Sequence, residues 1–126
     1  MKSLVFVLLW LGLCMPAFAQ APPPDVNNPT AVQWTASADH NAPGFDGYTL
    51  YIFDPVGVPL NPIDLGKPVP DGTNTCVATI NVQPIKFGNG FTVQLRARAG
   101  SSFSDPAMGE NKFNRVPGSP SKPVVK

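Results

Sequence analysis

Proline and glycine punctuate this chain so densely, sixteen of the first and eleven of the second, that few windows of helical length escape them. Proline removes a helical donor and clashes with the preceding turn, and glycine weakens a helix interior. Accordingly, no stretch beyond the first 25 residues carries a 3.6-residue apolar period. The period that does appear is two. Val32 and Trp34 alternate with Gln33 and Thr35, and Tyr48, Leu50 and Ile52 with Thr49, Tyr51 and Phe53. Further on, Cys76, Ala78, Ile80 and Val82 alternate with Val77, Thr79 and Asn81, and Phe91, Val93, Leu95 and Ala97 with Thr92, Gln94, Arg96 and Arg98. Successive strand side chains point to opposite faces, so each run offers one face to a core and one to water. Turn-forming clusters at residues 38–47, 54–57, 70–74 and 87–90 separate them. Short alternating strands between such clusters predict an all-β fold, a sandwich or a barrel. The proline-bearing middle, residues 58–69, has room for one short edge strand around 62–65, where a missing ladder donor is tolerated.

The two ends read differently. Lys2, the apolar run 4–13 and Ala17-Phe18-Ala19 follow the order of a secretory signal peptide, which predicts a leader over 1–19 and an exported chain, secreted or periplasmic. The apolar run is shorter than the ~20 residues that a membrane span needs, so no membrane association is expected after cleavage. Leu13 stands before Cys14 where a lipid-attachment site needs a small residue. Residues 20–30 form a proline-rich approach segment that could supply a short edge strand around 25–27. Residues 116–126 read as a flexible Pro/Ser/Lys tail. Between them, 31–115 is one domain of ordinary size.

Charge narrows the partner classes. Once Lys2 leaves with the leader, basic and acidic residues are equal in number. A nucleic-acid binder or a polybasic membrane binder would show a basic excess, so neither is expected. Cys14 leaves too, and Cys76 then stands alone. An internal disulfide is excluded, and Cys76 is expected to be a small buried hydrophobe, with a bond between two chains as the alternative.

The residues also resemble a family. "AVQWTASADHNAPGFDGYTLYIFD" is similar to the segment of fibronectin type III domains in which W-T-x-S leads through an Asp-containing loop into G-Y-x-L-Y. "TINVQP" with "GFTVQLRARAG" is similar to the later corner and strand, and "SSFSDPAMG" to the closing strand entry. The resemblance spans residues 31–115 and implies an immunoglobulin-like sandwich of two antiparallel sheets. Its core would hold Trp34, Tyr48, Leu50, Ile52, Ile80, Val82, Phe91, Val93 and Leu95. The family usually has a tyrosine where Phe91 stands, whose hydroxyl ties down a corner; phenylalanine cannot make that bond.

Chemistry is sparse. His40 is the single histidine, beside Asp39 and near Asp46, a set without ligand spacing for zinc and composed of ordinary turn formers. Neither G-x-S-x-G nor H-E-x-x-H occurs, and the glycine pairs near residues 44–47 and 88–90 lack a following helix to bind phosphate. No catalytic residue, metal or cofactor is expected. What remains is surface. The resemblance makes the strands at 48–53 and 91–98 neighbours, exposing Tyr51 and Phe53 beside Arg96 and Arg98, with Ser101 and Phe103 in the adjoining loop. Aromatics and arginine are enriched in binding hot spots, although the same pairs can merely stabilise a sheet. The loop carries no R-G-D. The expectation is a non-catalytic binding or adhesion module for a protein or carbohydrate partner. The alternatives are a subunit that self-assembles through its proline-rich ends and Cys76, and a carbohydrate-binding accessory protein.

Overall fold

The computed structural model describes residues 23–126; the leader expected at 1–19 lies outside them. The described chain is all-β, with nine strands in two sheets and no helix. In order they are β1 (Val26–Asn27), β2 (Ala31–Thr35), β3 (Gly47–Phe53), β4 (Ile63–Gly66), β5 (Thr75–Thr79), β6 (Gly88–Ala99), β7 (Ser102–Phe103), β8 (Ala107–Met108) and β9 (Phe113–Arg115). The larger sheet runs β1-β9-β6-β3-β4, with β7 and β8 also paired to β6. The smaller sheet is β2 with β5, antiparallel from Ala31↔Thr79 to Thr35↔Thr75.

The stretch with the cleanest alternation becomes the axis of the larger sheet. β6 pairs with all of β3, from Gly47↔Arg98 to Phe53↔Thr92. Its other edge is met by a chain returning in three short pieces, β7, β8 and β9. The proline-bearing middle yields β4 at a sheet edge, as proline content dictates. The run expected over 76–82 leaves the ladder at Thr79. Asn81 accepts the Gln83 amide with its side chain, and the Ile85 amide bonds the Val82 carbonyl, so the backbone turns there and not at 87–90 as expected, where Gly88 and Asn89 already pair with β9.

Two apolar clusters form the core. Leu50, Ile52, Val82, Phe91 and Phe113 make the larger one, with Val32, Ile80, Val93 and Leu95 packed against it half-buried. Tyr48, Cys76 and Ala36 make the other, flanked by Trp34 and Phe45. Strands of both sheets contribute to each cluster. Burying one large apolar side chain is worth roughly 1.5 to 3 kcal/mol, so these residues dominate the fold's stability. Phe91 stacks on Phe113 with ring centroids 5.0 Å apart; an aromatic contact stands where the resemblance would have set a hydroxyl bond. Trp34 meets Tyr48 edge-on at 5.0 Å and is half-buried.

Candidate binding surface

The outer face of β3 and β6 is built by strand alternation alone. Thr49 lies opposite Arg96, Tyr51 opposite Gln94 and Phe53 opposite Thr92, so these side chains share one face. Tyr51 and Phe53 are half-buried and Thr49 is buried. The arginines lie along the sheet and do not project freely from it. The Arg96 guanidinium sits 5.8 Å from the Tyr51 ring centroid, a distance at which the ring quadrupole attracts a cation. Arg98 reaches Asp64 on β4 with Nη2 at 2.9 and 3.0 Å from the two carboxylate oxygens. Its path crosses β3 at Gly47, where no side chain obstructs it. The Gly66 amide and then the Arg98 guanidinium hold the Asp64 carboxyl below its ordinary range.

The hairpin between β6 and β7 carries the other two surface candidates. Gly100 turns the chain at φ +59° and donates its amide to Asp46. Ser101 is exposed, and Phe103 is 49% exposed. Phe103 faces the loop before β3 across an open cleft of about 360 Å³, whose walls include Phe45, Ala42, Pro43 and Asp39. The six candidates therefore divide into a sheet face (Tyr51, Phe53, Arg96, Arg98) and a loop end (Ser101, Phe103), with Arg98 also lining the cleft.

His40 stands at this end too, and its position differs from a solvent-facing loop side chain. It is 6% exposed, with Nδ1 2.9 Å from the Tyr48 hydroxyl. The same hydroxyl accepts the Ser37 amide at 2.9 Å. Asp46 is engaged with Gly100 and Asp39 is exposed, so the three side chains expected in one loop serve three separate places. Among the described residues, no group of three His, Cys, Asp or Glu side chains is placed to hold a metal ion. Cys76 is fully buried, with Sγ 3.6 Å from the Pro68 carbonyl oxygen. Burial, aided by the charge of Asp71, pushes its thiol pKa up.

Two features carried no readable sequence signal. Arg115 is 8% exposed and has no carboxylate partner among the described residues. It donates to the carbonyls of Val82, Gln83 and Val116 and to the side chains of Asn28 and Gln83, and it lies 4.8 Å from the Phe87 ring centroid. Its hydrogen-bond partners are 32 or more residues away apart from Val116, which is why no local pattern betrays them. The second is a cleft of about 390 Å³ between β2 and the segment 107–111, floored by Leu50, Val93 and Leu95. No family model, curated protein or solved structure matches this chain.

Proposed function

We propose that the chain is an exported, non-catalytic binding module with a fibronectin type III-like sandwich fold. It captures a protein partner with the β3/β6 face and the neighbouring hairpin. The strand order β4-β3-β6-β9 in one sheet and β2-β5 in the other supports the fold reading. The observation that carries the functional reading is the cleft beside Phe103. There an exposed aromatic, a small apolar wall and Asp39 converge at the end of the sheet whose face bears Tyr51 and Arg96. Aromatic anchors beside a recess are the usual centre of a protein interface. The engagement of His40 by Tyr48 and the buried state of Cys76 support a binding role over a catalytic one.

The test uses a variant carrying Tyr51→Ser, Arg96→Ser and Phe103→Ser, with Arg98→Ser as a second variant. The triple variant is expected to keep its melting temperature within a few degrees and to lose capture of a cell-surface protein in a pull-down. Capture equal to that of the unaltered chain would reduce this face to ordinary strand exterior. Retardation in polysaccharide gels, lost in the same triple variant, would redirect the reading to a carbohydrate partner.

A further inference from the structure

The smaller sheet has only two strands among the described residues, so β2 has a neighbour on one side alone. The ladder shows which backbone groups are left over. The Ile80 amide bonds the Thr30 carbonyl and the Ala36 amide bonds the Asn74 carbonyl. In the register Ala31↔Thr79 to Thr35↔Thr75, this makes the even-numbered residues of β2 the ones bonded to β5. The N–H and C=O groups of Ala31, Gln33 and Thr35 therefore face the open side. Natural sheets guard such an edge with charge, proline or a bulge; β2 reads AVQWT and pairs without a bulge. Beneath this edge lies the 390 Å³ cleft, which takes in Val32 and Trp34 from β2 but only Thr75 from β5. Trp34 Nε1, buried in the same region, has no hydrogen-bond acceptor among the described residues. The outer edge of β5 is less open, because the Asp71 turn engages both the amide and the carbonyl of Thr75.

We infer that the β2 edge and its cleft receive the C-terminal tail of a second copy of this chain as an added antiparallel strand. The tail ends SKPVVK, and its two valines are 79% and 95% exposed, with Lys122 and Lys126 on either side. In an antiparallel ladder on β2, tail residues opposite Ala31, Gln33 and Thr35 make the hydrogen bonds, and those opposite Val32 and Trp34 point inward without needing a donor. The register Lys122↔Thr35, Val124↔Gln33, Lys126↔Ala31 sets Pro123 over Trp34 and Val125 over Val32. Both lysines then point to solvent, and the missing N–H of Pro123 falls where the ladder has no use for it. A parallel ladder reverses this parity. It either loses a bond at Pro123 or turns Lys122 and Lys126 toward the cleft. Glu110 on the far lip is exposed, with no ion pair among the described residues, and suits a tail whose side-chain charges are all positive.

The donor belongs to another copy because of where the tail begins. Val116 is held beside Asn28 by two hydrogen bonds, at the Ala31 end of β2. An antiparallel tail in the same chain would have to reach Thr35 and reverse within residues 117–122. Six residues span at most roughly 20 to 22 Å, and β2 alone accounts for about 13 Å. That leaves too little for the reversal. The interface is head-to-tail, so it propagates to chains or closes into rings. This inference goes beyond the proposed function and uses a different surface.

Sedimentation velocity on the chain expressed from Gln20 tests it. Association rising with concentration is expected, and removal of residues 117–126 is expected to leave a monomer. The peptide of residues 119–126, added to the truncated chain, is expected to shift the emission of Trp34, the only tryptophan after Gln20. Gln33→Pro removes an edge donor that β5 does not use, and is expected to abolish both effects. Should that variant not fold, Val125→Asp in the full-length tail gives the same loss with the receiving domain intact. A chain that stays monomeric at the highest soluble concentration, association that survives truncation, or a peptide that binds the Gln33→Pro variant equally well overturns the inference.

Discussion

Nδ1 of His40 lies 2.9 Å from the hydroxyl of Tyr48, and this buried contact fastens the loop before β3 onto the end of the sheet. The hydroxyl also satisfies the Ser37 amide. Tyr48→Phe removes one atom and leaves both groups without that partner. We expect it to lower stability by about 1 to 3 kcal/mol, the cost of unsatisfied buried polar groups. Urea unfolding should show a lower midpoint at an unchanged slope.

Arg115 closes the opposite end by joining Asn28, Val82 and Gln83. Lysine keeps the charge but cannot reproduce the planar fork that reaches all three. Arg115→Lys is expected to cost about 2 to 3 kcal/mol, measured by thermal unfolding. A change within error would show that the guanidinium's hydrogen bonds are replaceable by water.

Gly47 sits at φ +137°, and a Cβ there would run into the Gly66 carbonyl oxygen. Gly47→Ala therefore meets backbone strain of about 1 to 3 kcal/mol and must also push β4 away from β3. Loss of the Arg98–Asp64 pair should accompany the fall in melting temperature. Gly72→Ala, whose added Cβ meets nothing within 4 Å, is the near-neutral control.

Cys76 has no exposed surface, and burial raises its pKa, so the reactive thiolate is scarce and shielded. Ellman's reagent should label it only in denaturant, and non-reducing electrophoresis of the native protein should show no disulfide dimer. Rapid labelling without denaturant would place the thiol at the surface.

Asp64 and Asp71 both have carboxyls held below the ordinary value of 3.8. Asp64 is held first by the Gly66 amide and then by Arg98, and Asp71 by the Thr73 hydroxyl and then by the Thr75 and Thr73 amides. A carboxyl whose folded pKa is depressed stabilises the fold above its unfolded pKa. That contribution is lost as pH falls through the folded pKa. Urea midpoints should therefore decline from about pH 4 downward, and more gently in the Asp64→Asn and Asp71→Asn variants.

The strands were legible wherever a period of two had turns on both sides. β3 and β6 alternate cleanly because each turns one face to the core: Tyr48, Leu50 and Ile52 are buried there with Phe91, and Val93, Leu95 and Ala97 are half-buried. β5 stops at Thr79 although the alternation continues to Val82, since apolar period reports burial and not pairing. Val82 keeps its side chain in the core while its backbone has already turned. Tyr51, Phe53, Arg96 and Arg98 fall on one face by parity alone, yet parity says nothing of the length and direction of an arginine. That Arg98 lies down to Asp64 depends on a third strand, β4, and on the bare backbone at Gly47.

From the residues alone came the β class, the turns at 38–47, 54–57 and 70–74, the inward and outward parity of the four alternating runs and the lack of a local catalytic motif. All of these rest on interactions between near neighbours in the chain. The tertiary structure decided what distant segments do to one another. It buried His40 against Tyr48, closed Arg115 around carbonyls more than thirty residues away, and left β2, among the described residues, with an unpaired edge over a cleft. An edge is a property of sheet order, and sheet order is settled by how long-range contacts compete for the same strand.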